Sequence, residues 1–243
     1  LRPLLLMASA FEFTLNGRRI RVDDCSPNTT LLEFLRTHGL TGSKEGCAEG
    51  DCGACSVAMI ERDANDKPAW RAVNSCLLPV CLVAGRELVS VEGVGCSAKM
   101  HPVQRTMAEG YGSQCGYCTP GFICSMFEGY YRDDLHTQDA LDDQLSGNLC
   151  RCTGYRPIRD AAMDAFGQRA TRNGNDAFVE CLAKADTKLG PAEYQSDGEK
   201  FIRPTNLAEL LQALGDNPNA RLITGATELG LDITKRFKKF PTL

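Results

Sequence analysis

The sequence predicts an α+β chain: a small mixed sheet domain first, an all-helical unit second, and the opening of a third unit at the end. Three observations carry this. Two short stretches of alternating apolar and polar residues flank Asn16-Gly17, a strong hairpin signal, because this pair accepts the positive φ angles of a tight turn. After Gly95 the alternation stops, and Pro102, Pro120 and Pro157 each stand where a first helical turn would begin. From residue 201 a new pattern starts, after a stretch mixing Asn, Gly, Asp and Lys.

Taken in order, Phe11, Phe13 and Leu15 line one face of the first strand, and Ile20 and Val22 one face of the second. A helix follows in TTLLEFLRTHG: Thr30 with Glu33 forms a capping box, and Gly39 can end it. A cysteine-rich loop leads to the strand-like SVAMIE at 56 to 61, a polar turn, another extended piece, and ELVSVEG at 87 to 93. The sheet domain is placed at 8–95. PVQRTMAE, PGFICSMFEGYY, TQDALDDQL and PIRDAAMDAFGQ are four short helices of a unit at 96–170, with Thr119 and Thr137 as N-caps. Residues 171–200 are expected as a linker, with a helical turn around Phe178 to Leu182. In 201–243, TNLAELLQAL reads as a helix capped by Thr205, and RLITGATELGL as a strand entering a glycine turn. About forty-five residues cannot bury a core of their own, so the remainder of this unit is expected elsewhere.

The composition is that of an ordinary soluble globular chain, 243 residues at 43% hydrophobic and 24% charged. A net charge of −4 with no basic stripe argues against nucleic acid. No apolar run is long enough to span a membrane. The opening LRPLLLM is too short for a secretory signal, and Met7 is an alternative start. Cytoplasmic location is the expectation.

Thirteen cysteines are the outlier. C-x-C and C-x-x-C pairs are too close for bridges between elements, so reduced thiolates holding metal fit better than a disulfide scaffold. Cys47, Cys52 and Cys55 have the spacing C-x4-C-x2-C, with Cys76 further on, which is the plant-type ferredoxin pattern for a [2Fe-2S] cluster. Gly46, Gly50 and Gly53 let the loop curl and turn amides toward the sulfurs. Zinc usually takes two separated knuckles instead. Cys115, Cys118, Cys150 and Cys152 form a second set, C-x2-C then C-x-C, which alone would also suit zinc but beside the first loop suggests a second cluster and an electron relay.

The stretches EGCAEGDCGACSV, SQCGYCTPGF and GNLCRCTGYRPI resemble the signatures of the molybdenum hydroxylases, the family of xanthine dehydrogenase, aldehyde oxidase and carbon monoxide dehydrogenase. The resemblance spans roughly residues 10 to 170. It implies a β-grasp ferredoxin domain, then an all-α four-helix [2Fe-2S] domain, with Cys47, Cys52, Cys55 and Cys76 on the outer cluster and Cys115, Cys118, Cys150 and Cys152 on the inner one. Gln114 and Cys152 match molybdopterin contacts. FIRPTNLAELLQAL and LITGATELGLDI resemble the start of an α/β FAD-binding domain of the xanthine dehydrogenase type. Leu222, Ile223, Thr224, Gly225, Ala226, Thr227, Glu228 and Leu229 then map onto FAD contacts. The resemblance implies an electron-transfer subunit, a molybdopterin-binding large subunit that carries the substrate site, the rest of the FAD domain on the same or another chain, a heterotetramer or larger, and NAD as acceptor. No residue of this chain is expected to act on substrate as acid or base. An aldehyde or N-heterocycle hydroxylase of the same family remains open, as does a zinc-stabilised interaction module of another class.

The remaining features have plain readings. GVGCSA at 93 to 98 matches a dinucleotide fingerprint only formally and is read as a joining turn. Cys25, Cys81, Cys96, Cys124 and Cys181 are read as free thiols, with Cys81 a rival to Cys76. His38, His101 and His136 share no ligand spacing and are read as surface or capping residues; Tyr130 and Tyr131 are packing, and Asp142 and Asp143 a solvated face.

Overall fold

A computed structural model describes residues 10–171 and 176–243. Met7 lies outside the described residues. The hairpin forms as expected: β1 (Phe11–Leu15) and β2 (Arg18–Val22) pair antiparallel across Asn16 and Gly17, both at positive φ. Helix α1 (Leu31–Thr37) starts at Thr30, whose hydroxyl accepts from the Glu33 amide at 3.2 Å, and ends before Gly39 at φ +82°. β3 (Ser56–Arg62), β4 (Pro68–Asn74) and β5 (Glu87–Val89) complete a sheet of order β2-β1-β5-β3-β4, with β5 parallel to β1 and antiparallel to β3. That is the β-grasp arrangement.

Central strand β3 is covered on both faces. Val57 and Met59 join one core with Leu31, Phe34 and Leu35 of α1; Ala58 and Ile60 join a second core with the helical unit. Burial on both sides explains why VAMI, Val57 to Ile60, is a continuous apolar run rather than an alternating one. After the short turn α2 (Val91–Val94) come α3 (Pro102–Glu109), α4 (Thr119–Tyr130), α5 (Gln138–Leu145) and α6 (Arg156–Gly167), the four expected helices. α4 is the most deeply buried, lying between the sheet and the other three. Trp70 of β4 meets Phe127 of α4 edge-on at 5.3 Å, so sheet and helices share a core.

The caps differ in part from expectation. Thr137 caps α5. At α4 the cap position belongs to Cys118, and Thr119 is already helical, its hydroxyl 2.8 Å from that of Ser113. α3 is capped by His101, which forms a capping box with Gln104.

The stretch expected as a linker is largely structured. α7 (Ala177–Lys184) places Phe178 against Trp70 and Phe127, and Trp70 Nε1 donates to the Phe178 carbonyl at 3.3 Å. A hairpin of β6 (Ala192–Ser196) and β7 (Glu199–Arg203) follows, burying Tyr194 and Phe201 in the α1 core. Phe178, Cys181, Leu182 and Ala185 stand at helical spacing, in line with the helical turn expected around Phe178 to Leu182, but the surface that buries them and the hairpin lies far away in sequence. Residues 241–243 lie along β7: Lys200 donates to Pro241 O at 2.8 Å, and Ile202 to Leu243 O at 2.9 Å.

α8 (Leu207–Asp216) is capped by Asn206 rather than Thr205, because the Asn206 side chain accepts from the Glu209 amide at 3.0 Å while Thr205 holds the Glu209 carboxylate. The strand expected in RLITGATELGL does not form. Arg221 makes one ladder-like bond, to Thr242 O, and without a longer neighbouring strand the segment stays irregular up to α9 (Leu229–Thr234). Among the described residues no helix is long and apolar enough to cross a membrane.

Candidate metal centres

The first cysteine loop joins α1 to β3. Ala48, Gly50 and Gly53 adopt positive φ and coil it, leaving Cys47 and Cys52 half-buried and Cys55 buried. The turn after β4 brings Cys76 up beneath them. The Glu49 and Cys52 amides donate to Cys47 Sγ, and the Cys47 amide to Cys52 Sγ, each at 3.4 Å. Cys55 and Cys76, both buried, hydrogen-bond through their side chains. Ser75 Oγ donates to the Cys55 carbonyl at 2.6 Å and pins that pair.

The second set sits where α4 begins and in the loop between α5 and α6. Cys152 Sγ lies 3.6 Å from Cys115 Sγ, both exposed. Cys118 hydrogen-bonds Cys150, which is buried and also receives the Thr153 amide at 3.4 Å. The Cys150 amide in turn donates to the Tyr155 hydroxyl at 3.0 Å.

The thiols therefore meet in twos: Cys47 with Cys52, Cys55 with Cys76, Cys115 with Cys152, Cys118 with Cys150. Among the described residues no three His, Cys, Asp or Glu side chains converge as a single ion would require. Two thiolates on one metal at about 2.3 Å stand about 3.8 Å apart in tetrahedral geometry. Thiols that meet two and two suit a two-iron cluster better than one zinc.

Electrostatics separates the members of a pair. Hydrogen bonding from Cys76 outweighs burial at Cys55 and brings its thiol down to about 7, while Cys76 is pushed up by the same bond. Burial opposes ionisation of Cys47 and Cys150, but the amides on Cys47 and the Thr153 contacts on Cys150 bring each below its ordinary range. Their partners Cys52 and Cys118 are raised, chiefly by burial, Cys118 to about 12. In these three pairs one thiol gives up its proton more readily than its partner, and a bound metal would displace the protons that remain.

Cys81 does not join the first set. It is wholly buried beside Val80 and Val83, and its thiol donates to the Pro27 carbonyl at 3.4 Å. Gln114 lies exposed on the loop next to Cys115. Within 222–229, Leu222, Thr224, Gly225, Thr227 and Glu228 are exposed; Ile223 and Leu229 pack toward the α1 core, and Ala226 is buried at φ 57°. Just beyond, Leu231 packs on Cys55, Cys76 and Leu77, Thr234 donates to Ala48 O at 2.8 Å, and Lys235 bonds Cys47 O. Residues 231–235 thus lie against the first cysteine loop and its partner Cys76. Sequence reasoning missed Thr234 and Lys235, which carry no motif, and left Tyr155 unassigned although it lies inside GNLCRCTGYRPI.

Comparison with known proteins agrees with this geometry. A family model described as "2Fe-2S iron-sulfur cluster binding domain" matches residues 13–81, and one described as "[2Fe-2S] binding domain" matches 90–163. The xanthine dehydrogenase of Emericella nidulans is 34% identical over 94% of this chain and 20% of its own length. The xanthine dehydrogenase/oxidase of Felis catus is 33% identical over 98% and 21%. The chain spans about a fifth of the length of these curated relatives. Among solved structures, quinoline 2-oxidoreductase from Pseudomonas putida 86 matches with a TM-score of 0.57 and 30% identity, covering 67% of this chain and 96% of that one. Aldehyde oxidoreductase from Desulfovibrio gigas matches at 0.60 and 33%, covering 68% of this chain and 18% of that one.

Proposed function

Because this chain belongs to the xanthine dehydrogenase family of molybdenum hydroxylases, we propose that it is the electron-transfer part of a xanthine dehydrogenase, oxidising hypoxanthine and xanthine with water and NAD. Cys47, Cys52, Cys55 and Cys76 hold an outer [2Fe-2S] cluster, and Cys115, Cys118, Cys150 and Cys152 an inner one. When bound, these clusters supply one-electron carriers between a molybdenum-pterin on a partner large subunit and FAD. Gln114 and Cys152 face that pterin, and residues 222–229 contribute to the FAD site, completed by further sequence. The units run 8–95, 96–170 and 201–243, the assembly is a heterotetramer or larger, and it works in the cytoplasm.

One observation supports a relay above all: the two cysteine sets are joined directly. The Leu149 amide, next to Cys150, donates to the carbonyl of Cys52 at 3.0 Å. Tyr117, between Cys115 and Cys118, donates its hydroxyl to the Glu45 carbonyl on the outer loop. One-electron carriers exchange quickly only at short range, and these contacts hold the loops together. The chain's own part is therefore to bind, orient and shield, while oxidation of the substrate takes place elsewhere.

The test is an anaerobic visible spectrum of the native complex before and after hypoxanthine. Bleaching of iron–sulfur absorption by hypoxanthine is expected. Bleaching by dithionite alone would remove the purine assignment and leave an aldehyde or N-heterocycle hydroxylase. A colourless protein with stoichiometric zinc would overturn the relay.

A further inference from the structure

Three segments meet at one point between the cysteine sets, and Asn148 is at its centre. Asn148 is 3% exposed. Its Nδ2 donates to the Gly53 carbonyl at 3.2 Å, on the outer loop between Cys52 and Cys55. Its Oδ1 accepts from Ser125 Oγ at 2.5 Å, inside α4. Its main-chain amide donates to Leu145 O at 3.0 Å, continuing the end of α5. The next residue, Leu149, bonds Cys52 O, and the one after is Cys150. A side chain is excluded on both sides: a Cβ on Gly53 would lie 2.3 Å from Asn148 Nδ2, and one on Gly121 2.1 Å from Gly53 O.

From this arrangement, and resting on the relay reading above, we infer that Asn148 is a positioning residue that sets the separation of the two clusters. An amide is suited to this task, because it donates to a carbonyl on one side and accepts from a hydroxyl on the other. A buried carboxamide whose two ends are satisfied is rigid, and losing either end leaves a buried polar group unpaired. The side chain that ties outer-loop Gly53 to Ser125 of α4 thus stands two residues before Cys150 of the inner set. The side-chain bonds of Asn148 run to Gly53 and Ser125 and not to a cysteine, so its effect is on distance and orientation rather than on ligation.

The test uses the dithionite-reduced native complex. With both clusters paramagnetic, the splitting of their EPR lines falls steeply with separation. Asn148→Asp keeps the acceptor for Ser125 but loses the donor to Gly53 and sets a carboxylate against its carbonyl. Ser125→Ala keeps the Gly53 bond and releases the other end. Both variants are expected to retain iron and both EPR signals, with reduced splitting and slower reoxidation of the inner cluster by the outer one; Asn148→Asp changes more. If Asn148→Asp fails to retain iron, Ser125→Ala decides alone. Full iron with unchanged splitting in the variants overturns the role of Asn148. Absence of two distinct clusters in the unaltered complex is a different result, and removes the relay reading along with the inference.

Discussion

Gly121 of α4 lies so close to Gly53 of the outer loop that a methyl on Gly121 would stand 2.1 Å from the Gly53 carbonyl oxygen. The obstacle is backbone, which cannot swing aside as a side chain can. Gly121→Ala is therefore expected to push α4 from the loop, at a cost of about 1–3 kcal/mol. Gly147→Ala is the control, since a Cβ there meets nothing within 4 Å. Its effect should stay within about 0.5 kcal/mol. Urea unfolding of both variants measures the difference; equal midpoints would contradict the close approach.

Cys76, not Cys81, is expected to complete the outer set. Cys76 hydrogen-bonds Cys55, whereas Cys81 points to the Pro27 carbonyl in a separate core. Cys76→Ala should lose the outer cluster and halve the iron content. Cys81→Ala should keep all the iron and lose only stability, by about 1 kcal/mol for a small buried group. Iron analysis with EPR of the two variants separates them, and the reverse pattern would exchange the assignments.

Cys115→Ser tests the inner set. Cys115 and Cys152 are paired at the surface, so little core packing depends on them. One EPR signal should vanish while the other persists, and electron flow from substrate to NAD should stop. Turnover that survives with both signals intact would falsify the inner-cluster ligation.

Two thiols outside the sets give a pH dependence. Burial, with Glu92 adding, pushes Cys124 from 9.0 up to about 12. Burial, then Asp24, pushes Cys25 to about 11. Both ionise near 9 when the chain unfolds, so above that pH the unfolded chain binds fewer protons than the native one. Stability should accordingly hold below pH 9 and fall as pH rises from there through 11 to 12. Cys124→Ala should make the fall shallower. Urea midpoints at about pH 8.5 and about pH 10.5 test this, and parallel slopes for the variant and its parent would contradict it.

Sequence alone placed much of the local structure and named the candidate donors. Asn16-Gly17 demanded a hairpin, Thr30 a helix start, and three prolines the helical unit, because each acts through its own backbone or its nearest neighbours. The cysteine spacings named eight thiols, since loop curvature is a local property. Tertiary structure decided which thiols pair, that Cys76 rather than Cys81 meets Cys55, and that Asn148 and Lys235 touch the outer loop. It also extended the helical turn expected around Phe178 to Leu182 into α7 and set a hairpin at 192–203, within and just beyond the stretch expected as a linker. Phe178 and Tyr194 anchor them, and what orders both is surface supplied by Trp70 and Phe11, more than a hundred residues away in sequence. Contacts of that range follow from how the sheet folds over its helix, which no local pattern encodes.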